Sequence, residues 1–548
     1  MFQYDFSNHQ NRFIRIEDTP EGYLSHIERT THEDPAYPCW HIAPPCGLLN
    51  DPCGLFQTGG VHHIFHQWFP AGPVHGLKYW RLLTTRDFVH FEDHGPQLSP
   101  GLPFDDHGCY TGMALTLAHG ASERASAAGG NIVAASPLEA EVYYTGIAGE
   151  EMEASICMAR CVDGEIVDRR RVIKRDPTLS AADFRDPCVF MCGGHENQPD
   201  PSGRKAMLVG SCSPEGIGQI LLYAEKGAQD GECGSLPSGG NSSELFEARG
   251  ALELRCAGFD VSTLGYMLEC PNYYEDENAG AGVLFFSPMG IESPNKYDFK
   301  NVFSVVYAVG EPMDVGAGAF TCPMFYEMDK GFDFYAPQTY PTEDGRRILF
   351  GWLGNSKSPY PTDKNNWAHM LTTPREATVR GDRLVQRPIV ELEALRGEGV
   401  ALGSDAVAGR FGTSIALDPE TATLDLDGFA EGEFSWELGN DTGECVRFTA
   451  TADEYELDRG GMTELYAERF GTRRFARRLD VKTSVRLLLD TSSIELFLDN
   501  GKTVFTSRYF IDRPTYLCVR GIEGVWYPMS SIKLSTCGKQ PWVPSGCH

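Results

Sequence analysis

From about residue 55 the chain runs as a succession of short apolar or alternating segments, each of strand length. They are Val61–Gln67, Lys78–Thr85, Glu141–Thr145, Ala154–Cys161, Phe184–Met191, Lys205–Cys212, Gln219–Ala224, Val283–Ser287, Val302–Val309, Phe334–Gln338 and Arg346–Leu353. Gly, Pro, Asp and Asn punctuate the gaps, and no segment of helical period interrupts them. Strand after strand without crossover helices restricts the fold to an all-β sandwich, barrel or propeller. Periodicity alone does not separate these three, because no blade signature such as a recurrent Trp-Asp pair is visible. After Arg375 the pattern changes. Val390 to Arg410 reads as a short helix or linker, and the strands that follow include Ile494–Leu498 and Val504–Tyr509 around the hairpin signal Asp499-Asn500-Gly501. The organisation predicted is an N-terminal extension over 1–39, a large β domain over 40–385, a linker over 386–410 and an antiparallel β-sandwich over 411–548.

Charge and cysteine usage narrow the function classes. The net charge of −29 repels phosphate backbones and anionic lipids, so neither nucleic acid nor a membrane surface is an expected partner. Met1 to Thr30 interleaves charges with apolar pairs and carries no apolar signal-peptide region; no long uncharged apolar stretch occurs elsewhere. The 17 Cys are scattered without a C-x-x-C spacing, which fits reduced thiols and a cytoplasmic location better than a disulfide framework. Cys157/Cys161 and Cys188/Cys192 read as buried strand positions rather than as zinc ligands. His62, His63 and His66 look like a ligand cluster, but alternation along a strand sends His63 to the other face, so no metal is expected.

Three acidic motifs each set a carboxylate near a proline: Asn50-Asp51-Pro52, Arg185-Asp186-Pro187 and Glu269-Cys270-Pro271. Proline biases the preceding residue to extended backbone and donates no hydrogen bond, so each motif leaves or enters a strand in a fixed direction. Taken singly, each is an ordinary turn or capping acid. Together and in this order they resemble the signature set of glycoside hydrolase family 32, the invertases, inulinases and other fructosidases. Phe65-His66-Gln67, Tyr79-Trp80, Tyr110-Thr111-Gly112, Phe332 to Gln338, Gly351-Trp352-Leu353, Glu495-Leu496-Phe497 and Val504 to Arg508 add to the resemblance, which spans about residue 40 to the C-terminus. Two departures stand out: Leu48 occupies the family motif's leading Trp position and Cys53 its second Asn. They spare the acids and bear on fine specificity.

The resemblance implies a five-bladed β-propeller followed by a β-sandwich, with the acids meeting at the mouth of the central channel. It also implies retaining cleavage of terminal β-D-fructofuranosides such as sucrose and short fructo-oligosaccharides. Asp51 is then the nucleophile and Glu269 the acid/base, the two carboxyls lying about 5–5.5 Å apart. Asp186 holds fructose hydroxyls and stabilises the transition state, and Arg185 orients the acids. Asn50, Gln67, Trp80, Tyr110 and Thr111 complete the sugar pocket, with Trp80 as an apolar wall. No cofactor is needed. A transfructosylase and a sucrose-6-phosphate hydrolase share these residues, and a non-catalytic sugar-binding propeller is disfavoured because a binder has no need of three mutually repelling carboxylates. An unphosphorylated substrate is the expectation, since Lys78 and Arg81 are the cations flanking Trp80 and Arg185 is committed to the acids. A homo-oligomer through the sandwich stays open.

Overall fold

The computed structural model describes residues 4–116, 138–162, 164–181, 183–192, 204–226, 245–402, 412–418 and 422–537. Five antiparallel sheets form the large domain, each a blade whose first strand lies innermost. The innermost strands are Gly47–Thr58, Gly108–Thr116, Phe184–Met191, Met267–Asp276 and Tyr335–Pro341. The inner blade strands are buried on both faces because each sheet is sandwiched between its neighbours, as in Lys205–Cys212, buried at every position but its first; outer strands such as Glu165–Lys174 are not. That is why the inner strands read as apolar runs rather than as clean alternation. The ring closes where Trp367–Ala368, from the last blade's connection, pairs in parallel with Gly47 and Leu48 of the first.

Two six-stranded sheets pack face to face after the propeller. The sheet that contains Glu454–Gly461 turns one face to solvent and its burial alternates, whereas Ser493–Leu498 and Thr503–Arg508 of the other sheet are buried at every position where it meets the propeller. Trp436, Phe448, Leu487, Leu496 and Phe505 fill the space between the two sheets.

The structure departs from the sequence reading in four places. Val400–Ala401, inside the segment expected as linker, already pairs with Val525 and Trp526 of the sandwich; 403–411 lie outside the described residues. Lys533–Thr536, expected in the sandwich, returns to the first blade and extends it in parallel beside His90–Asp93. The strand expected at Val302–Val309 spans only Val306–Gly310, because the Asn301 side chain caps the backbone N–H of Val302 and Phe303 turns toward Tyr335. The unassigned extension forms a short α-helix, Tyr23–His32, that buries Tyr23, Ile27 and Thr31. With Phe6 and Phe13 it covers Trp68, Phe69 and Leu77 of the first blade. It also clamps the loop over 70–78: the Tyr23 hydroxyl donates to the Ala71 carbonyl (2.8 Å), and the Arg12 carbonyl accepts from Leu77 N–H (2.7 Å).

Candidate active site

Every innermost strand carries one extra residue at the same height. The register slips between Leu49 and Pro52, Tyr110 and Gly112, Arg185 and Cys188, Glu269 and Asn272, and Tyr335 and Gln338. A β-bulge re-aims side chains that would otherwise lie in the ladder. Its second residue is Asp51, Thr111, Asp186, Cys270 or Ala336, followed in four blades by Pro and in one by Gly. Asp186, Cys270 and Ala336 take left-handed backbone at φ 62°, 48° and 43°, a strain that non-glycine residues keep only where the surrounding fold imposes it. The five-fold repeat absent from the strand spacing is therefore written in these bulges. Its one trace in the sequence is the Pro or Gly that follows each of these five residues. Gly54 has φ 55°, and a Cβ there would come within 2.7 Å of the Trp80 ring, so the glycine lets the first bulge close on the blade core.

The bulges bring Asp51, Asp186 and Glu269 together around Cys270. The Cys270 Sγ lies 3.8 Å from Asp51 Oδ2 and 3.5 Å from Asp186 Oδ2, and Cys270 N–H donates to Asp186 Oδ2 (3.0 Å). Arg185 grips Glu269 Oε1 through Nε (3.0 Å) and Nη2 (2.7 Å) and reaches Asp183 with its remaining amino group. The Tyr335 hydroxyl donates to Glu269 Oε2 (2.6 Å). Around Asp51, Asn50 Nδ2 donates to Oδ1 (3.1 Å) and the Thr111 hydroxyl to Oδ2. Asn50 Nδ2 also reaches Gln67 Oε1 (2.6 Å), Gln67 Nε2 reaches Thr111 Oγ1 (2.6 Å), and Lys78 Nζ donates to Asn50 Oδ1 (2.7 Å).

Burial pushes the Asp51 pKa up, with the Glu269 charge adding to it, while bonds from Thr111 and Asn50 and the Lys78 cation oppose. Asp186 is pushed up to about 7: burial dominates, Arg185 opposes it, and Glu269 and Asp51 reinforce it. Burial also lifts the Cys270 thiol well above its ordinary range, reinforced by the three carboxylates. The thiol is therefore a neutral spacer between two acids.

Of the residues expected at the site, Asn50, Gln67, Thr111 and Arg185 join the three acids. Trp80 does not form an exposed apolar wall. Its indole is fully buried in the first blade's core near Phe65 and Tyr144, and its Nε1–H donates to the Tyr110 carbonyl (3.2 Å). It supports the bulge from behind. Tyr110 is half-buried and is tied to the site through that carbonyl. Leu48 and Cys53 are buried, Cys53 in the core that holds Trp80. The cations flanking Trp80 are engaged: Lys78 with Asn50 and Arg81 with Asp93. The histidines point apart, His62 bonding Tyr340 and Gln57 while His63 stacks on Phe56. Residues not foreseen are Tyr335, Cys270, Lys78 as a structural donor, and Lys357. The Lys357 ammonium sits 5.7 Å from the Phe303 ring centre, and that ring is 5.4 Å from Tyr335. Lys357 is exposed and forms no ion pair among the described residues.

Residues 41–388 match the model of the glycosyl hydrolases family 32 N-terminal domain, and 391–525 that of the family 32 C-terminal domain. A sucrose-6-phosphate hydrolase of Vibrio alginolyticus is 36% identical over 529 residues, 95% of this chain and 96% of its own length. One from Bacillus subtilis is 32% identical over 492 residues, covering 88% and 91%. Among solved structures, the sucrose-6-phosphate hydrolase of Lactobacillus gasseri aligns over 96% of this chain and 99% of its own, with a TM-score of 0.79 at 23% identity. A Bombyx mori β-fructofuranosidase aligns over 95% and 100%, with a TM-score of 0.71 at 24% identity.

Proposed function

The chain belongs to glycoside hydrolase family 32, and from that premise we propose that it hydrolyses the fructosyl bond of sucrose-type β-D-fructofuranosides, with sucrose 6-phosphate the preferred form. The observation that carries the reading is the convergence of Asp51, Asp186 and Glu269 from three blades around Cys270. In this reading Asp51, its two oxygens pinned by Asn50 and Thr111, attacks the anomeric carbon. Glu269, steadied by Arg185 and Tyr335, gives a proton to the leaving oxygen and later takes one from water. The raised pKa of Asp186 suits a group that binds sugar hydroxyls and gains negative character as positive charge develops on the fructosyl ring.

Leaving-group preference is a separate matter. The expectation of an unphosphorylated substrate rested on the absence of an uncommitted cation near the motifs. Lys357 supplies one: it lies over Phe303, which packs against Tyr335, the residue that donates to Glu269, and the reading of Glu269 as acid puts the leaving sugar on this side. The relatives named above act, by their names, on the phosphate ester. Measuring kcat/KM for sucrose and sucrose 6-phosphate tests both levels. The ester should lead by about tenfold, on the order of 1.4 kcal/mol, and Lys357→Ala should narrow that lead. Equal rates would refute the preference alone; fructose release from neither sugar would refute the function. NMR of the first product should show retained β-fructose, and an α-product would exclude a covalent intermediate on Asp51.

A further inference from the structure

We propose that Lys78 is a positioning residue that sets the donor–acceptor polarity of the hydrogen-bond circuit behind Asp51 and so fixes the nucleophile's two oxygens. The inference rests on the reading of Asp51 as nucleophile. Side-chain amides are nearly symmetric in shape, so Asn50 and Gln67 need something to decide which end points where. An ammonium can only donate. Lys78 Nζ, 2.7 Å from Asn50, therefore requires Oδ1 at that end and sends Nδ2 toward Asp51 Oδ1 and Gln67 Oε1. Gln67 then offers Nε2 to Thr111 Oγ1, whose own proton is directed to Asp51 Oδ2. One cation thus orients two amides and a hydroxyl, and both branches end on the same carboxylate. With Asn50 reversed, its oxygen would face the lone pairs of Asp51 and of Gln67.

Lys78 is 2% exposed, and among the described residues its side chain's polar contacts are Asn50 and His75 Nδ1 (3.1 Å), with no direct carboxylate partner. Burying a cation without such a partner is costly, which argues against a mere space-filling role. The contact to His75 makes Nδ1 an acceptor and leaves the proton on Nε2. Burial pulls the Lys78 pKa down to about 7 while Asp51 holds it up, so the two groups feel each other's field. Asp51 is faced by Lys78 from its own blade, Asp186 from the third, and Glu269 and Cys270 from the fourth; Lys78 is also faced by His75 and His369. The loop carrying His75 and leading to Lys78 is the one clamped by the N-terminal extension.

Full-length Lys78→Met and Lys78→Gln test this, each checked for folding by circular dichroism. Two quantities are read: kcat and KM for fructose release from sucrose 6-phosphate and sucrose, and the pH midpoint at which a carbodiimide and an amine label Asp51, read by peptide mass. Lys78→Met should lose about 100-fold, mainly in kcat, and its labelling midpoint should rise because the carboxylate has lost a neighbouring cation. Lys78→Gln, which keeps an amide donor without the charge, should recover part of kcat and none of the midpoint. A folded Lys78→Met with an unchanged midpoint overturns the proposal, whatever its kcat. If Lys78→Met fails to fold, the midpoint in Lys78→Gln decides alone. If the wild type frees no fructose, the functional reading falls, while the midpoint still judges Lys78.

Discussion

The propeller mouth and the seam between propeller and sandwich both bury several charges, and they treat them in opposite ways. At the seam, fully buried Arg375 donates to Glu495, Thr506 (2.7 Å), Gln386 (2.9 Å) and Asp329 (3.4 Å). His41 bridges Asp490 (2.8 Å) and Glu495 (2.9 Å), and Asp490 accepts four further backbone N–H groups, from Cys39, Trp40, His41 and Thr491. Burial alone would raise the pKa of Asp490 and Glu495. Their cationic and N–H partners outweigh it, and both are lowered, whereas Asp329 stays raised by its burial. At the mouth, two carboxylates share few donors with a third, and Asp51 and Asp186 are raised. Saturated acids hold domains together. Under-saturated acids are left free to change charge during a reaction, at a cost in stability.

The sharpest break between the regions should come from Asp51→Asn. We expect kcat to fall about 10³-fold or more, on the order of 4 kcal/mol, with unfolding stability unchanged or improved. Glu269→Gln should behave alike. Near-normal turnover by either purified variant would remove the mouth's distinction. Arg375→Met is the converse experiment at the seam. It strands Glu495 and Asp329 as buried anions and should cost about 3 kcal/mol or more in denaturant unfolding, and a loss under about 1 kcal/mol would show the seam charges to be solvated.

A finer test uses pH. Burial pushes the Asp186 carboxyl up to about 7 in the folded protein, against 3.8 as its ordinary value, so the folded state holds the extra proton between those limits. Stability contributed at this position is then highest at acid pH and declines as pH rises toward 7. Asp186→Asn removes that decline. The variant should be more stable than wild type by about 4 kcal/mol at pH 8, with the gap closing as pH falls toward 4. A gap independent of pH would show that burial does not hold the proton on. The smallest effect is expected on the sandwich's solvent face, where Arg447 pairs with Glu437 at 2.6 Å. Arg447→Ala should change unfolding free energy by about 0.5 kcal/mol or less. A larger loss there would blur the contrast between buried and exposed charge.

Strand composition made the all-β class legible in the sequence, because apolar runs and alternation report how many faces of a sheet are buried; the change of architecture expected after Arg375 comes later, since Arg375–Arg380 and Arg383–Pro388 complete the fifth blade. The acids were legible because Asn50-Asp51-Pro52, Arg185-Asp186-Pro187 and Glu269-Cys270-Pro271 are local motifs whose proline fixes the backbone. What those motifs share was not. The bulge that unites Asp51, Thr111, Asp186, Cys270 and Ala336 is a register slip against a neighbouring strand, and register is a property of pairing. Glu495-Leu496-Phe497 and Val504 to Arg508 looked like part of one signature with the acids; only tertiary packing assigns Glu495 and Thr506 to the seam. Trp80 is an aromatic beside an acid motif in the sequence and a core residue in the fold, because a strand residue's environment depends on which blade packs against it. Lys78 gave no local sign of its partners: its contact to Asn50 reaches from a loop to the first innermost strand, and its orientation depends on that loop's being clamped by residues far earlier in the chain. The sequence determined which chemistry was present, since side-chain type is local. Which groups were saturated, and so which could react, was decided by tertiary structure, because burial and hydrogen-bond partners exist only once distant strands have met.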